Sequence, residues 1–188
     1  MTKKILIHQR ELKDLQREVL QGEHDLFYYD EAGFSLTPSV PYGWQPIGKR
    51  IEIPSSKSKQ INVLGFLDYR GETFDPYVVE GYVDAGIAIT CVDSFCDRIK
   101  RPTTVVIDNS QVHTSALFQS MIPVWEKRDL YFWFLPPYCP ELNLIELLWK
   151  KIKYSWLPIQ AYQSFQNLND ELNHILANVG KQFQISSQ

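Results

Sequence analysis

No apolar run in this sequence approaches the roughly 18 residues of a membrane span, and the start, MTKKILIHQRELK, lacks the pattern of a signal peptide. No membrane partner is therefore expected, and the chain reads as cytoplasmic. Cysteine is scarce: Cys91, Cys96 and Cys139 are an odd number in 188 residues, which excludes a disulfide framework and predicts reduced thiols. The pair in CVDSFC has no second pair to match it, so a structural zinc site is not predicted. A strong excess of either charge is also missing. The net charge of −3 argues against a generally basic nucleic-acid binder, although carboxylates gathered around a metal ion would hide a local cationic surface. Short basic clusters (GKR, SSKSK, RIKR and KKIK) read first as solvated faces.

What remains is a chain with 44% hydrophobic and 13% aromatic residues, enough for one ordinary globular domain with a real core. Residues 8–22, HQRELKDLQREVLQG, place Leu12, Leu15 and Val19 on one helical face, with Gly22 as the stop. DLFYYDEAGF reads as a strand ending in a turn at Glu31-Ala32-Gly33, and the proline- and glycine-rich SVPYGWQPIGKR as a loop. QINVLGFLDY and TFDPYVVEGY are two further strands joined by a hairpin at Arg70-Gly71. A helix over DAGIAITCVDSFCDRI precedes a β-branched strand, TTVVIDN, and a helix over SALFQSMIPVWEKR precedes another strand, LYFWFLP. Helices after PPYCP and over FQNLNDELNHILANVG complete the chain. The order predicts an α/β fold: an antiparallel hairpin region, then parallel strands linked by helices, in a sheet with helices on both faces.

Three carboxylates fall at strategic places. Asp30 is expected to end the first strand and Asp108 the fourth. Ligands collect beyond the carboxyl ends of parallel strands, above all where strand order reverses. If the two strands are neighbours, the two like charges need a cation or a proton between them. On a helix starting near Leu142, the apolar stripe is Leu142, Ile145, Trp149, Ile152 and Trp156, while Asn143, Glu146, Lys150 and Lys153 form a polar stripe. Glu146 thus projects from a firmly packed helix. Two strand-end aspartates and a helical glutamate make an oxygen-donor set suited to Mg2+ or Mn2+, as in two-metal phosphoryl chemistry.

The motifs YYDEAGF, GWQPIGKR, VVIDNSQVHTS and FLPPYCPELNLIELLWKKIK, in that order and covering roughly residues 27–156, resemble the catalytic domain of DDE transposases in the insertion-sequence branch of the mariner superfamily. The proline-tyrosine-proline turn followed by Glu-Leu-Asn and a helical glutamate carries most of that likeness. The resemblance implies an RNase H-like fold with a mixed central sheet of about five strands, residues 1–24 being a helix ahead of a catalytic domain at 25–188. It implies that Asp30, Asp108 and Glu146 are catalytic and bind the metal, two Mg2+ or Mn2+ ions being expected. Asn109 and His113 match polar positions after the second aspartate and are expected near the site. Glu31 is not assigned to the metal, because adjacent strand residues point to opposite faces. Two departures stand out. Leu144 occupies the place of a usual proline at helix entry, and 37 residues separate Asp108 from Glu146, slightly more than is usual, which a small loop insertion absorbs.

The implied activity is metal-dependent cleavage of DNA phosphodiesters at transposon ends and strand transfer into target DNA, with TA targets preferred. The implied partners are double-stranded DNA, at the transposon ends and the target, and a second copy of the chain in a homodimer. Phosphate contacts are expected from Lys49, Arg50, Lys57, Lys59, Lys150 and Lys153. Trp44 either stacks on a base or packs under its loop. Only 29 residues precede Asp30, room for one helix, so a helix-turn-helix DNA-binding module is expected on a separate segment, and a nucleoid-associated location follows. Two rivals stay open: an RNase H-like nuclease or resolvase without strand transfer, and an inactive, domesticated domain for DNA binding or assembly.

Overall fold

The computed structural model describes residues 3–39, 47, 59–136, 139 and 142–185, with the backbone alone for residues 3–9. The first helix, α1 (Lys3–Leu20), ends where Gly22 takes a left-handed φ of 79° and donates its N–H to the Val19 carbonyl. Its buried Leu12 and Val19 enter the main core. Three strands follow: β1 (Asp25–Phe34), β2 (Ile61–Asp68) and β3 (Phe74–Glu80). The β2–β3 hairpin turns where expected, with Gly71 at φ 73° and Asp68 Oδ1 accepting the Glu72 and Thr73 backbone N–H groups at 2.7 Å each. Then α2 (Ala85–Cys96), capped by Asp84, leads to β4 (Thr103–Ile107), and α3 (Ala116–Glu126), capped by Ser115, leads to β5 (Leu130–Phe134).

The five strands form one mixed sheet in the order β3-β2-β1-β4-β5. β1–β2 and β2–β3 are antiparallel, whereas β1–β4 and β4–β5 are parallel. Alternation along β1 divides the interior in two. Leu26, Tyr28, Ala32 and Phe34 face a core shared with α1 and the C-terminal helices, while Tyr29 faces a second core with α2 and α3. Cys91, Cys96 and Cys139 are buried thiols.

One boundary differs from expectation. β1 does not turn at Glu31-Ala32-Gly33 but runs on to Phe34, paired with β2 down to Ile61. Ala32 and Phe34 keep the buried phase, so a non-local partner extends the strand through residues with turn-like composition.

After β5 comes α4 (Leu144–Lys151), which widens into a π-helical segment, Ile152–Trp156, closed by a hydrogen bond from Leu157 N–H to the Ile152 carbonyl. A 3-10 helix (Ile159–Gln163) and α5 (Phe165–Ala177), capped by Ser164, finish the fold. The buried stripe of α4 is Ile145, Leu148, Trp149 and Ile152, while Leu142 and Trp156 are half-buried. Asn143, expected on the polar stripe, is instead buried at 4% exposure, standing ahead of α4 as its N-cap rather than within the helix. Each fully buried side chain of this stripe contributes about 1.5–3 kcal/mol to seating α4.

Candidate active site

Parallel pairing of β1 with β4 ends at Tyr28 opposite Val106. Carried two residues further, that register sets Asp30 level with Asp108. Asp108 follows the last residue of β4, as expected, but Asp30 lies inside β1, since β1 leaves β4 while remaining paired to β2. The expectation that Asp30 ends its strand is thus corrected: the strand ends there towards one neighbour only.

Asp30 shares the phase of Leu26 and Tyr28, so it faces α4. There the Trp149 indole N–H donates to Asp30 Oδ2 at 3.2 Å. Burial pushes the Asp30 carboxyl up to about 7, and the charges of Asp108 and Glu146 add to the rise, against hydrogen bonds from the Glu31 backbone and the Trp149 indole. Glu146 itself is half-buried in the first turn of α4. Asp108 and Glu146 are therefore both close enough to Asp30 to act on its charge, although among the described residues no three His, Cys, Asp or Glu side chains are drawn together tightly enough to hold one ion.

Asp108 is held differently. Its Oδ1 accepts the Ser110 backbone N–H at 3.1 Å and lies 2.7 Å from His113 Nδ1, which must donate because a carboxylate only accepts. Burial would raise this carboxyl, but the His113 and Ser110 hydrogen bonds outweigh it and hold it below its ordinary value. His113 is 6% exposed, with its ring centre 5.4 Å from that of Tyr29 and 5.2 Å from that of Phe118, and its carbonyl takes a hydrogen bond from Gln119. Asn109 does something else: its side-chain amide donates to the Leu135 carbonyl, tying the exit of β4 to the exit of β5. On the far side of β1 from α4, Glu31 joins Tyr29, Asn62 and His113 around a cavity of about 770 Å3 that also reaches Asp30 and Asp108.

Residues 25–169, which hold all three acids, match the family model of the DDE superfamily endonucleases. The chain belongs to that family.

This DDE endonuclease chain is 25% identical over 179 residues to the insertion element IS630 uncharacterized 39 kDa protein of Shigella sonnei, the match covering 84% of this chain and 46% of the relative. It thus spans about half the length of the curated relative it matches. Among solved structures, it resembles the Mos1 transposase paired-end complex with left transposon end at a TM-score of 0.65 and 14% identity, over 97% of this chain and 57% of that one. The catalytic domain of Mos1 mariner transposase matches at 0.53 and 13% identity, over 94% and 83%. At such identities the likeness establishes a shared fold, the RNase H-like one expected from the sequence.

The lysines of the endonuclease divide. Lys150 is exposed, and Lys59 is exposed with its ammonium 5.7 Å from the centre of the Phe165 ring. Lys153 is half-buried over Phe34 at 5.2 Å, where burial lowers its pKa against the raising effect of Asp30. Its ammonium is therefore close enough to Asp30 to feel that charge. Lys49, Arg50, Lys57 and Trp44 lie outside the described residues. Sequence reasoning missed Trp149 as a site residue, because a tryptophan on an apolar stripe carries no sign that its N–H meets a carboxylate. No helix among the described residues is long and apolar enough to cross a membrane.

Proposed function

We propose that this chain supplies the catalytic domain of a transposase, residues 25–188 forming the domain and 1–24 the helix ahead of it. In this reading it cleaves DNA at transposon ends and joins the freed 3′-hydroxyl to target DNA. The observation that carries the reading is the level placement of Asp30 and Asp108 on neighbouring strands, with Glu146 near enough to raise the Asp30 carboxyl further, in a chain matched to the DDE endonucleases. Mos1, whose structures include a paired-end complex with Mn, supplies the analogy for divalent metal and DNA.

The donor chemistry fits a hard cation: three carboxylates, and repulsion on Asp30 from the other two that a divalent ion would offset. Asp30, Asp108 and Glu146 would hold Mg2+ or Mn2+, two ions being proposed, with the repelling side chains drawn inward. When bound, such ions polarise the scissile phosphate and lower the pKa of the attacking water. β1 and β4 fix where the two aspartates stand, and buried Ile145 and Leu148 fix the turn of α4 that presents Glu146. His113 and Ser110 keep Asp108 ionised, while Lys153 sets a positive charge beside Asp30, where a DNA phosphate would approach. Lys150 and Lys59, with Lys49, Arg50 and Lys57, are proposed to contact the DNA backbone, and Asn109 to support the site by tying the two strand exits. A homodimer and a separate helix-turn-helix segment complete the proposal, because joining two ends requires paired, sequence-addressed catalytic domains.

The deciding assay is cleavage and strand transfer with Mg2+ or Mn2+ on DNA bearing a pre-cut end, wild type beside Glu146→Gln. Joined products from wild type only are expected. Cleavage without joining would make the protein a nuclease, and equal activity in both proteins would remove Glu146 from the site.

A further inference from the structure

We propose that Trp149 is a positioning residue for Asp30: its indole N–H holds Oδ2 so that Oδ1 is the oxygen presented to the active site. The inference rests on the metal-binding reading of Asp30 and adds a residue that the reading does not require.

The indole lies 3.2 Å from Asp30 Oδ2 across 119 residues of sequence, and Trp149 is only 5% exposed. A buried indole N–H needs an acceptor, and here the acceptor is a carboxylate of the site. The ring has little freedom to do otherwise. It meets Phe34 edge-on at 6.3 Å between centres and Phe74 edge-on at 5.7 Å.

The place of Phe74 is itself determined next to Asp30. In the β1–β2 register Asp30 stands opposite Gly65, and paired residues of antiparallel strands project to the same face. A Cβ on Gly65 would lie 2.3 Å from the Phe74 ring. The missing side chain beside Asp30 is thus the space that Phe74 fills, and Phe74 in turn backs Trp149. A run of contacts from Gly65 through Phe74 to Trp149 ends on the aspartate that Gly65 faces.

Trp149 also lies one turn after Glu146 on α4. The helix that delivers the acid therefore delivers the clamp on its partner acid, so any shift of α4 moves both together. Asp108 receives matching treatment from His113, whose Nδ1 lies 2.7 Å from Oδ1, with the Asp108 carbonyl at 3.3 Å and Ser110 Oγ at 3.0 Å as further neighbours. Each aspartate has one oxygen engaged by a buried ring N–H of known position. Such outer partners of metal-binding carboxylates change metal affinity by roughly ten- to a hundredfold when lost.

The test is Mn2+ binding to the DNA-free full chain, followed by electron paramagnetic resonance of the free ion, with wild type, Trp149→Phe and Asp30→Asn. Phenylalanine keeps most of the packing and removes the N–H. Trp149→Phe is expected to weaken Mn2+ binding by roughly ten- to a hundredfold, with a metal-free melting temperature within a few degrees of wild type, and Asp30→Asn to weaken it at least as much. Wild-type affinity in Trp149→Phe, with loss in Asp30→Asn, overturns the clamp and leaves the metal reading standing. A wild-type protein that binds no Mn2+, or an Asp30→Asn protein that binds it normally, overturns both. A second measurement does not depend on the folding of Trp149→Phe. In the 15N–1H spectrum of wild type, the sequentially assigned Trp149 indole signal is expected to shift in Asp30→Asn and on addition of Mg2+. An indole signal indifferent to Asp30→Asn overturns the clamp.

Discussion

Asp30 and Asp108 stand level on adjacent strands, yet their surroundings drive their protons in opposite directions. Asp30 lies within a strand, under α4, with two like charges near it and only neutral N–H donors, the Glu31 backbone and the Trp149 indole, on its side chain, and its carboxyl rises to about 7. Asp108 lies at a strand exit, about half exposed, with a histidine and a backbone amide on one oxygen, and its carboxyl falls. The lesson is one of division of labour. Asp108 is held below the ordinary carboxylate range, whereas Asp30, near 7, is only partly ionised at neutral pH. In the metal-binding reading proposed above, such a pair carries less standing repulsion before the ion binds than two full charges would.

The comparison breaks most completely if either acid is neutralised. Asp108→Asn and Asp30→Asn should each reduce metal-dependent cleavage by about a thousandfold or more, measured on pre-cut DNA ends. His113→Ala should cost less, roughly ten- to a hundredfold in Mn2+ affinity. It should also raise the pKa of the Asp108 carboxyl, read from the pH dependence of its 13C carboxyl shift, and so make the two aspartates more alike.

A thermal test separates them by sign. Asp30 binds its proton more tightly folded than unfolded, so in metal-free protein its contribution to stability falls as pH rises from about 4 to about 7. Asp108 binds its proton less tightly folded, so its contribution is present above the ordinary carboxylate range and is lost as pH falls below it. At pH 8 without metal, Asp30→Asn should melt several degrees above wild type and Asp108→Asn below it, by scanning calorimetry. Both variants moving the same way would end the contrast. The smallest effect sharpens it: Gly65→Ala should displace the Phe74 ring and destabilise the fold by about 1–3 kcal/mol, in urea melts, while leaving the Asp108 carboxyl shift untouched.

Much of this was legible beforehand because it rests on local pattern. The β-branched run before Asp108 predicted β4, and Arg70-Gly71 predicted the hairpin, since each signal is complete within a few residues. The length of β1 was not legible, because its second half is decided by β2 rather than by its own Glu-Ala-Gly composition. The burial of Asn143 and of Leu148 depended on how α4 is seated, which heptad-like counting from Leu142 misjudged by starting the helix two residues early. Trp149 was placed correctly on the buried stripe, yet its polar atom was invisible. A hydrophobic pattern ranks side chains by their bulk and does not see one N–H.

The π-helical segment after Lys151 amounts to one residue more than an α-helix would use over the same rise. Removing a single residue from 152–156 would restore regular winding while the chain downstream keeps its present phase, so the tail would stay seated and the ring contact with Phe183, now at 5.2 Å, would survive. Upstream, Glu146 and Trp149 would keep their places. The segment is therefore a seam in the heritable sense: one residue can be gained or lost within it while the helix before it and the tail after it keep their places.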